Sequence, residues 1–337
     1  MINIGIIGCG YWGPNLIRNF TQIKNCRLIS VCDIDKNKIK KIKKIYPYLK
    51  CFFDYKEMID ESEIDAVVVS TPPQTHYQIS YYALSKNKHV FIEKPMCLNS
   101  KDSKKLIQIA NKNNLIILTG HTFIYSPSVQ KIHEIIKNGD IGEILYIDSV
   151  RINLGLFQTN TNVLWDLAPH DISIINYILN KLPYKIRVEG ITYYGKHENM
   201  AYISLYYPEN IISHINVSWI SPVKIRWTII GGTNKMIVYN DLEESEKVKI
   251  YDRAILTHFD KQKEDKVKIE YRLGDIYIPH LLTTEPLFIE CSDFIFSIIK
   301  KTPPLSDGKF GHYIVKILEA GQESINSGGK EIEINYN

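Results

Sequence analysis

Three groups of residues in this 337-residue chain have types and spacings suited to chemistry. The first is "IIGCGYWGPNL", which holds Gly8, Gly10 and Gly13 in the spacing G-x-G-x-x-G, with Asp33 twenty residues after Gly13. Such glycines permit a tight turn, a close approach of backbone to a pyrophosphate and close helix–strand packing, while the later carboxylate suits ribose hydroxyls. A helix N-terminus behind the loop would add amide donors and a positive dipole end for phosphates. The second group closes "HVFIEKP", where an apolar run ends in Glu93, Lys94 and Pro95. Charge is expensive to desolvate, so a strand that delivers Lys94 to its tip feeds either a loop facing water or a site. The third is Asp166 and His170 in "NVLWDLAPHDISI", four residues apart. On a helix that spacing puts carboxylate and imidazole on one face. Asp166 also suits a helix N-cap with Pro169 in the first turn, and each residue taken alone reads as structural.

The elements that must position these groups follow from periodicity. Over the first 120 residues, near-continuous apolar strands at 2–7, 26–33, 65–71, 88–93 and 115–120 alternate with helical stretches such as 74–86 and 100–113. That pattern predicts a parallel sheet covered by helices on both faces. Ligands bind at the C-terminal edges of such strands, where the glycine loop, "STPP" (Ser70, Thr71, Pro72) and "EKP" all fall. "STPP" also reads as a proline-stiffened loop before a helix capped by Thr75 or Gln74. The lysine-rich stretch 36–50 places Ile39, Ile42 and Ile45 at helical spacing, an amphipathic helix with a solvated lysine face.

Past about residue 140 alternating runs dominate, at 143–153, 185–194, 200–207, 211–220, 224–231 and 234–239. They predict an antiparallel sheet with one face packed and the other available. Helices are expected near 167–180, 285–300 and 308–326, and segment 241–284 is charged and irregular, with no element placed. The expected domains are 1–121 and 122–337, with the C-terminal helices able to pack back on the first.

Composition narrows the classes. Hydrophobic residues at 45% and charged residues at 23% are ordinary for a globular chain, and a net charge of +4 is too small to suggest a nucleic-acid partner. Six scattered cysteines show no metal-ligand spacing and read as reduced thiols. No apolar run is long enough to span a membrane and the N-terminus lacks a secretory pattern, so a cytoplasmic chain without metal or membrane partner is expected.

The glycine loop, "STPP", "EKP", "GHTFIYSP" (120–127), the D-x-x-x-H of 166–170 and "SDGKFGHYIVKILEA" stand in the order found in one family. The chain resembles the Gfo/Idh/MocA oxidoreductases over nearly its whole length. The resemblance implies an α/β fold: an N-terminal Rossmann doubly wound parallel sheet, then a C-terminal α/β domain with a large, open, mostly antiparallel sheet used to form homodimers or homotetramers. It implies a cis Lys94–Pro95 bond and NAD as cofactor. NADP is less favoured, because Asp33 would repel a 2′-phosphate, an effect Lys36 softens. The implied cofactor contacts are Gly8, Gly10, Tyr11, Trp12, Gly13, Asp33, Ser70, Thr71, Pro72, His76, Glu93 and Lys94. Lys94, His170 and Asp166 would be catalytic: Lys94 stabilising charge on the substrate oxygen, His170 as general base, Asp166 orienting it. Lys94, Tyr125, Asn153, Trp165, Asp166 and His170 would touch substrate, and no metal is implied. The family often has an arginine after the phenylalanine of "GHTFIYSP", where this chain has Ile124 and Tyr125, so substrate contacts there should differ. The implied activity is hydride transfer between a secondary hydroxyl of a sugar and nicotinamide. The form "LWDLAPHDISI" is similar to members handling nucleotide-linked sugars for surface polysaccharides, which points to C3 of a UDP-linked N-acetylated hexose. A free sugar or inositol dehydrogenase, and a non-catalytic NAD- or sugar-binding regulator, are the alternatives.

Overall fold

A computed structural model describes residues 1–155, 157–158, 160–259 and 267–336. The chain divides into two compact units, one made of Met1–Tyr125 and Thr284–Glu319, the other of Ser126–Thr283 and the chain from Ala320 onward.

In the first unit the order is β1 (Ile2–Ile7), α1 (Gly13–Phe20), β2 (Cys26–Cys32), α2 (Lys36–Ile45), β3 (Lys50–Phe52), α3 (Tyr55–Asp60), β4 (Ala66–Val69), α4 (Pro73–Ser85), β5 (His89–Glu93), α5 (Ser100–Lys112) and β6 (Ile117–Gly120). The strands form one parallel sheet in the order β3-β2-β1-β4-β5-β6. Succession reverses between β1 and β4, and open sheets of this kind bind ligands at that switch point, outside the strand C-termini. Every residue of β4 is buried, as both faces of a helix-covered sheet require. On α2, Ile39 and Ile42 are buried while the lysines face outward, and Asp35 caps the helix through Asn37 N. The helix Pro286–Lys300 and most of the helix Gly308–Asn326 complete the unit. Phe294 of the former meets Phe20 and Phe91 edge-on, at centroid distances of 6.5 and 5.8 Å, and Arg18 binds both Glu285 oxygens.

The second unit runs α6 (Pro127–Lys137), β7 (Ile144–Leu154), α7 (Val163–Leu179), β8 (Lys185–Ile191), β9 (Met200–Tyr206), β10 (Ile212–Ser218), β11 (Ile220–Gly232), β12 (Met236–Asn240), β13 (Val248–Phe259) and β14 (Val267–Tyr277). After α8 (Pro286–Lys300) and α9 (Gly308–Asn326) comes a short β15 (Ile332–Glu333). The nine-stranded sheet has the order β14-β13-β12-β11-β7-β10-β9-β8-β15, and its β10–β7 pair is parallel while the other pairs are antiparallel. Helix α7 packs on β7, β9 and β10, over the face carrying Ile147, Ile203 and Ile215. The opposite face keeps Tyr202 and Trp227 46% and 45% exposed.

The segment 241–284 is not irregular: it supplies β13 and β14. The pairing shifts register between Tyr251 and Arg253, which breaks the period-two alternation by which a strand is read. All six cysteines are free. No helix among the described residues is long and apolar enough to cross a membrane.

Candidate active site

The glycine loop joins β1 to α1, and its glycines do different jobs. Gly8 has φ +99°, and a Cβ there would lie 2.5 Å from Ser70 O, while one on Gly13 would lie 2.2 Å from Gly8 O. These two close the turn. A Cβ on Gly10 would meet nothing within 4 Å, and Tyr11 beside it is 92% exposed, so this backbone is open to a ligand. That is the cradle a pyrophosphate requires at a helix N-terminus. The partly buried Trp12 occupies the N-cap position of α1 and makes no side-chain cap there. Asp33 follows β2, 7% exposed, and accepts from Cys9 N at 2.7 Å and Asp35 N at 2.8 Å, which fixes its carboxylate beside the loop. The ammonium near it belongs to Lys38, at 3.8 Å, and not to Lys36, which lies over the Phe53 ring.

The "STPP" segment braces this loop from the next strand: Ser70 Oγ donates to Gly8 O at 2.7 Å. Helix α4 then starts at Pro73 without a side-chain cap, and Thr75 Oγ donates to Pro72 O. His76 corrects the sequence reading. It is fully buried, with Nδ1 2.8 Å from Pro95 O and Nε2 2.8 Å from Thr71 O, so it ties "STPP" to "EKP" from beneath instead of facing a ligand.

Strand β5 ends at Glu93, paired with Gly120 of β6, and the Lys94–Pro95 peptide is cis. Glu93 is partly exposed as a residue, but its Oε1 is sealed from solvent without a hydrogen-bond partner. Burial pushes its carboxyl up to about 7, against the pull of the Lys94 charge. Behind it stands Glu290 of α8, fully buried, its Oε2 accepting from Thr122 Oγ at 2.6 Å. Burial raises Glu290 and the neighbouring Glu93 raises it further. Sequence reasoning passed over Glu290, although it sits among Leu287, Cys291, Phe294 and Ile298 on the buried stripe of α8, where an acid is out of place. His121, also passed over, is 1% exposed. Tyr125 is a second correction. It is 1% exposed, and its hydroxyl donates to Asp293 Oδ2 at 2.9 Å, lies 3.0 Å from Ser306 Oγ and accepts from Ser306 N, which makes it a core brace with no surface for a sugar.

In the second unit, α7 starts at Val163, with Asn162 as cap: its Oδ1 accepts from Trp165 N at 3.1 Å and its amide donates to Glu198 and Gln322. Asp166 is therefore a first-turn residue and not the cap, and Pro169 lies inside the helix. Asp166 and His170 are both partly buried, one turn apart on one face, and Asp166 Oδ2 accepts from Trp219 Nε1 at 3.1 Å. Trp165 is partly buried beside them on the helix, and Asn153 is partly buried near the end of β7. Directly after His170, Asp171 is held by Arg151 of β7, Nε to Oδ2 at 2.5 Å, and by Ser149 Oγ at 2.7 Å, all three buried. This clamp sets α7 against the sheet.

A parallel sheet with an open glycine cradle at its switch point and a carboxylate after β2 defines a dinucleotide-binding Rossmann unit. Residues 2–121 match the family model described as the NAD-binding Rossmann fold of the GFO/IDH/MocA oxidoreductases, and residues 129–238 match that of the family's C-terminal domain. The chain belongs to the GFO/IDH/MocA oxidoreductase family. Myo-inositol 2-dehydrogenase of Thermotoga maritima is 27% identical over 194 residues, 56% of this chain and 58% of that protein. A Bacillus subtilis relative, the oxidoreductase YrbE, likewise matches over only 56% of its length. Among solved structures, UDP-N-acetylglucosamine 3-dehydrogenase from Acidithiobacillus ferrooxidans superposes with a TM-score of 0.80 at 19% identity, covering 97% of this chain and 98% of that one. Scyllo-inositol dehydrogenase from Lactobacillus casei, solved with NAD(H) and scyllo-inositol, gives 0.79 at 20% identity over 99% of both. These two likenesses speak to the fold.

Proposed function

We propose that the protein is an NAD-dependent dehydrogenase that oxidises a secondary hydroxyl of a sugar, and that the sugar is nucleotide-linked, with C3 of a UDP-linked N-acetylated hexose as first choice. The observation that carries the reading is the rim of the first unit, where Lys94 leaves β5 on the same strand edge as the open glycine loop. When bound, NAD supplies the hydride acceptor. The backbone at Gly8, Gly10 and Gly13 would hold its phosphates and Asp33 its ribose, with Ser70, Thr71, Pro72 and Glu93 along the rim. Lys94 keeps a positive charge where negative charge grows on the substrate oxygen, an interaction far stronger in a poorly hydrated site than in water. His170 takes the hydroxyl proton on an imidazole nitrogen, and Asp166 orients it or the sugar. The nucleotide-sugar choice is supported by the form of "LWDLAPHDISI". The Thermotoga relative supports an inositol or free sugar as second reading. The presence of Lys94, Asp166 and His170 weighs against a silent regulator. We also propose that two or four copies associate through the open sheet face bearing Tyr202 and Trp227.

The test is NADH formation across UDP- and dTDP-sugars, free hexoses and inositols, with Lys94→Ala and His170→Ala beside the unmodified protein. Each variant is expected to lose at least a hundredfold in kcat while binding NAD within a few-fold of normal. Unchanged turnover in either removes that residue from the mechanism, and binding without turnover across the whole panel overturns the enzyme reading.

A further inference from the structure

Strands β5 and β6 run parallel with the register Ile92↔Thr119 and Glu93↔Gly120. The next residues are Lys94 and His121, which follow the last paired positions at the same strand edge, where His121 N turns back onto Thr119 O at 2.7 Å. After them the backbones part, into Pro95 on one side and the 3-10 turn Thr122–Tyr125 on the other. His121 is 1% exposed, and neither of its ring nitrogens has a hydrogen-bond partner among the described residues. Its ring packs edge-on against Phe310, with centroids 5.5 Å apart. An apolar residue would fill that place beside Phe310 at lower cost, because a buried polar group without a partner costs about 1–3 kcal/mol. An orphan of this kind in a native protein calls for a functional reason.

The chemistry available to the ring is narrow. Burial first, and the Lys94 charge second, lower its pKa to about 3, so it stands neutral, with one nitrogen that accepts and one that donates. A bare acceptor nitrogen within the field of the Lys94 ammonium complements that charge.

We propose that His121 is a positioning residue for Lys94: with cofactor and substrate in place, its free ring nitrogen accepts a hydrogen bond from the Lys94 ammonium and aims it at the substrate oxygen. The inference rests on the role given to Lys94 above. A lysine ammonium rotates on a flexible four-carbon stem, and an acceptor fixed in the adjacent strand removes that freedom. Because the imidazole is neutral, it orients the cation without cancelling its charge, which a carboxylate in its place would do.

Two substitutions test this. His121→Phe keeps the packing against Phe310 and removes the acceptor, while His121→Gln keeps an acceptor. Steady-state kinetics would be measured from pH 6 to 10, with NAD affinity from fluorescence and unfolding midpoints alongside. For His121→Phe the expected result is a loss of ten- to a hundredfold in kcat, a displaced alkaline limb of the pH profile, and an NAD Kd within threefold of normal. His121→Gln should recover at least a third of the lost rate. A His121→Phe enzyme with kcat and pH profile within twofold of the unmodified protein overturns the proposal. So does a loss of kcat and NAD affinity together that His121→Gln fails to restore, which would mark a packing role. If His121→Phe does not fold, His121→Gln decides alone: kcat within threefold and an unmoved pH profile support the proposal, and a hundredfold loss at normal NAD affinity defeats it. Lys94→Ala separates the premises: an active Lys94→Ala enzyme defeats the role of Lys94 itself, whereas an inactive one beside a fully active His121→Phe defeats this inference alone.

Discussion

Glu93 and Glu290 place two carboxyls in the interior behind Lys94, and burial raises both in the folded state. A carboxyl raised on folding contributes stability that is fully present below the ordinary carboxylate range and lost as pH climbs. For Glu93 the loss falls between 4.5 and about 7, and for Glu290 it continues higher. Each group tilts stability by at most about 1.4 kcal/mol per pH unit. Glu290→Gln keeps an acceptor for Thr122 and removes the ionisation. Its thermal midpoint should exceed that of the unmodified protein at pH 8, and the gain should vanish near pH 4, where both carboxyls are protonated. An equal gain at both pH values would show that Glu290 does not titrate on unfolding. At this scale the turn of the glycine loop, the strand end at "EKP" and the shared helix face of Asp166 and His170 were legible, because each placement lies in short spacings. His121 and Glu290 were not, since one acquires its neighbour from strand register and the other from a helix 168 residues further along the chain than Thr122.

Among elements, α7 carries most of the candidate chemistry of the second unit, and the buried Arg151–Asp171 pair holds it to β7. Removing one partner strands a buried charge, which typically costs about 3–5 kcal/mol. Arg151→Ala is therefore expected to lose that much in urea unfolding, whereas Arg151→Met combined with Asp171→Leu should recover most of it. A loss below about 1 kcal/mol for the single variant would show that α7 is held by apolar packing alone. The helix was legible and its start was not: Asn162 and Asp166 are both good caps by type, and what selects Asn162 is its amide reaching Glu198 and Gln322, partners distant in sequence. The hairpin β13–β14 escaped notice for a related reason, because a register shift erases alternation locally without breaking the ladder. Both cases show local patterns under-determining what remote partners decide.

At the scale of the whole molecule, the open face of the nine-stranded sheet carries Trp227 and Tyr202 at nearly half exposure. On the proposal made above, association of copies would cover this face. Light scattering should report a dimer or tetramer, and Trp227→Glu with Tyr202→Lys should shift it toward monomer without lowering NAD affinity. A monomeric unmodified protein would end that idea. The two fold classes were legible from the change in period near residue 140, and the return of the C-terminal helices to the first unit was foreseen as an option, though not its bounds. The first unit takes back Thr284–Glu319, and with it Phe294 against Phe20 and Phe91. During synthesis, then, the nucleotide-binding half cannot finish its core when its own six strands leave the ribosome. It must wait, with an apolar groove uncovered, until Thr284–Glu319 has been made, and an intermediate of that kind is exposed to misassembly.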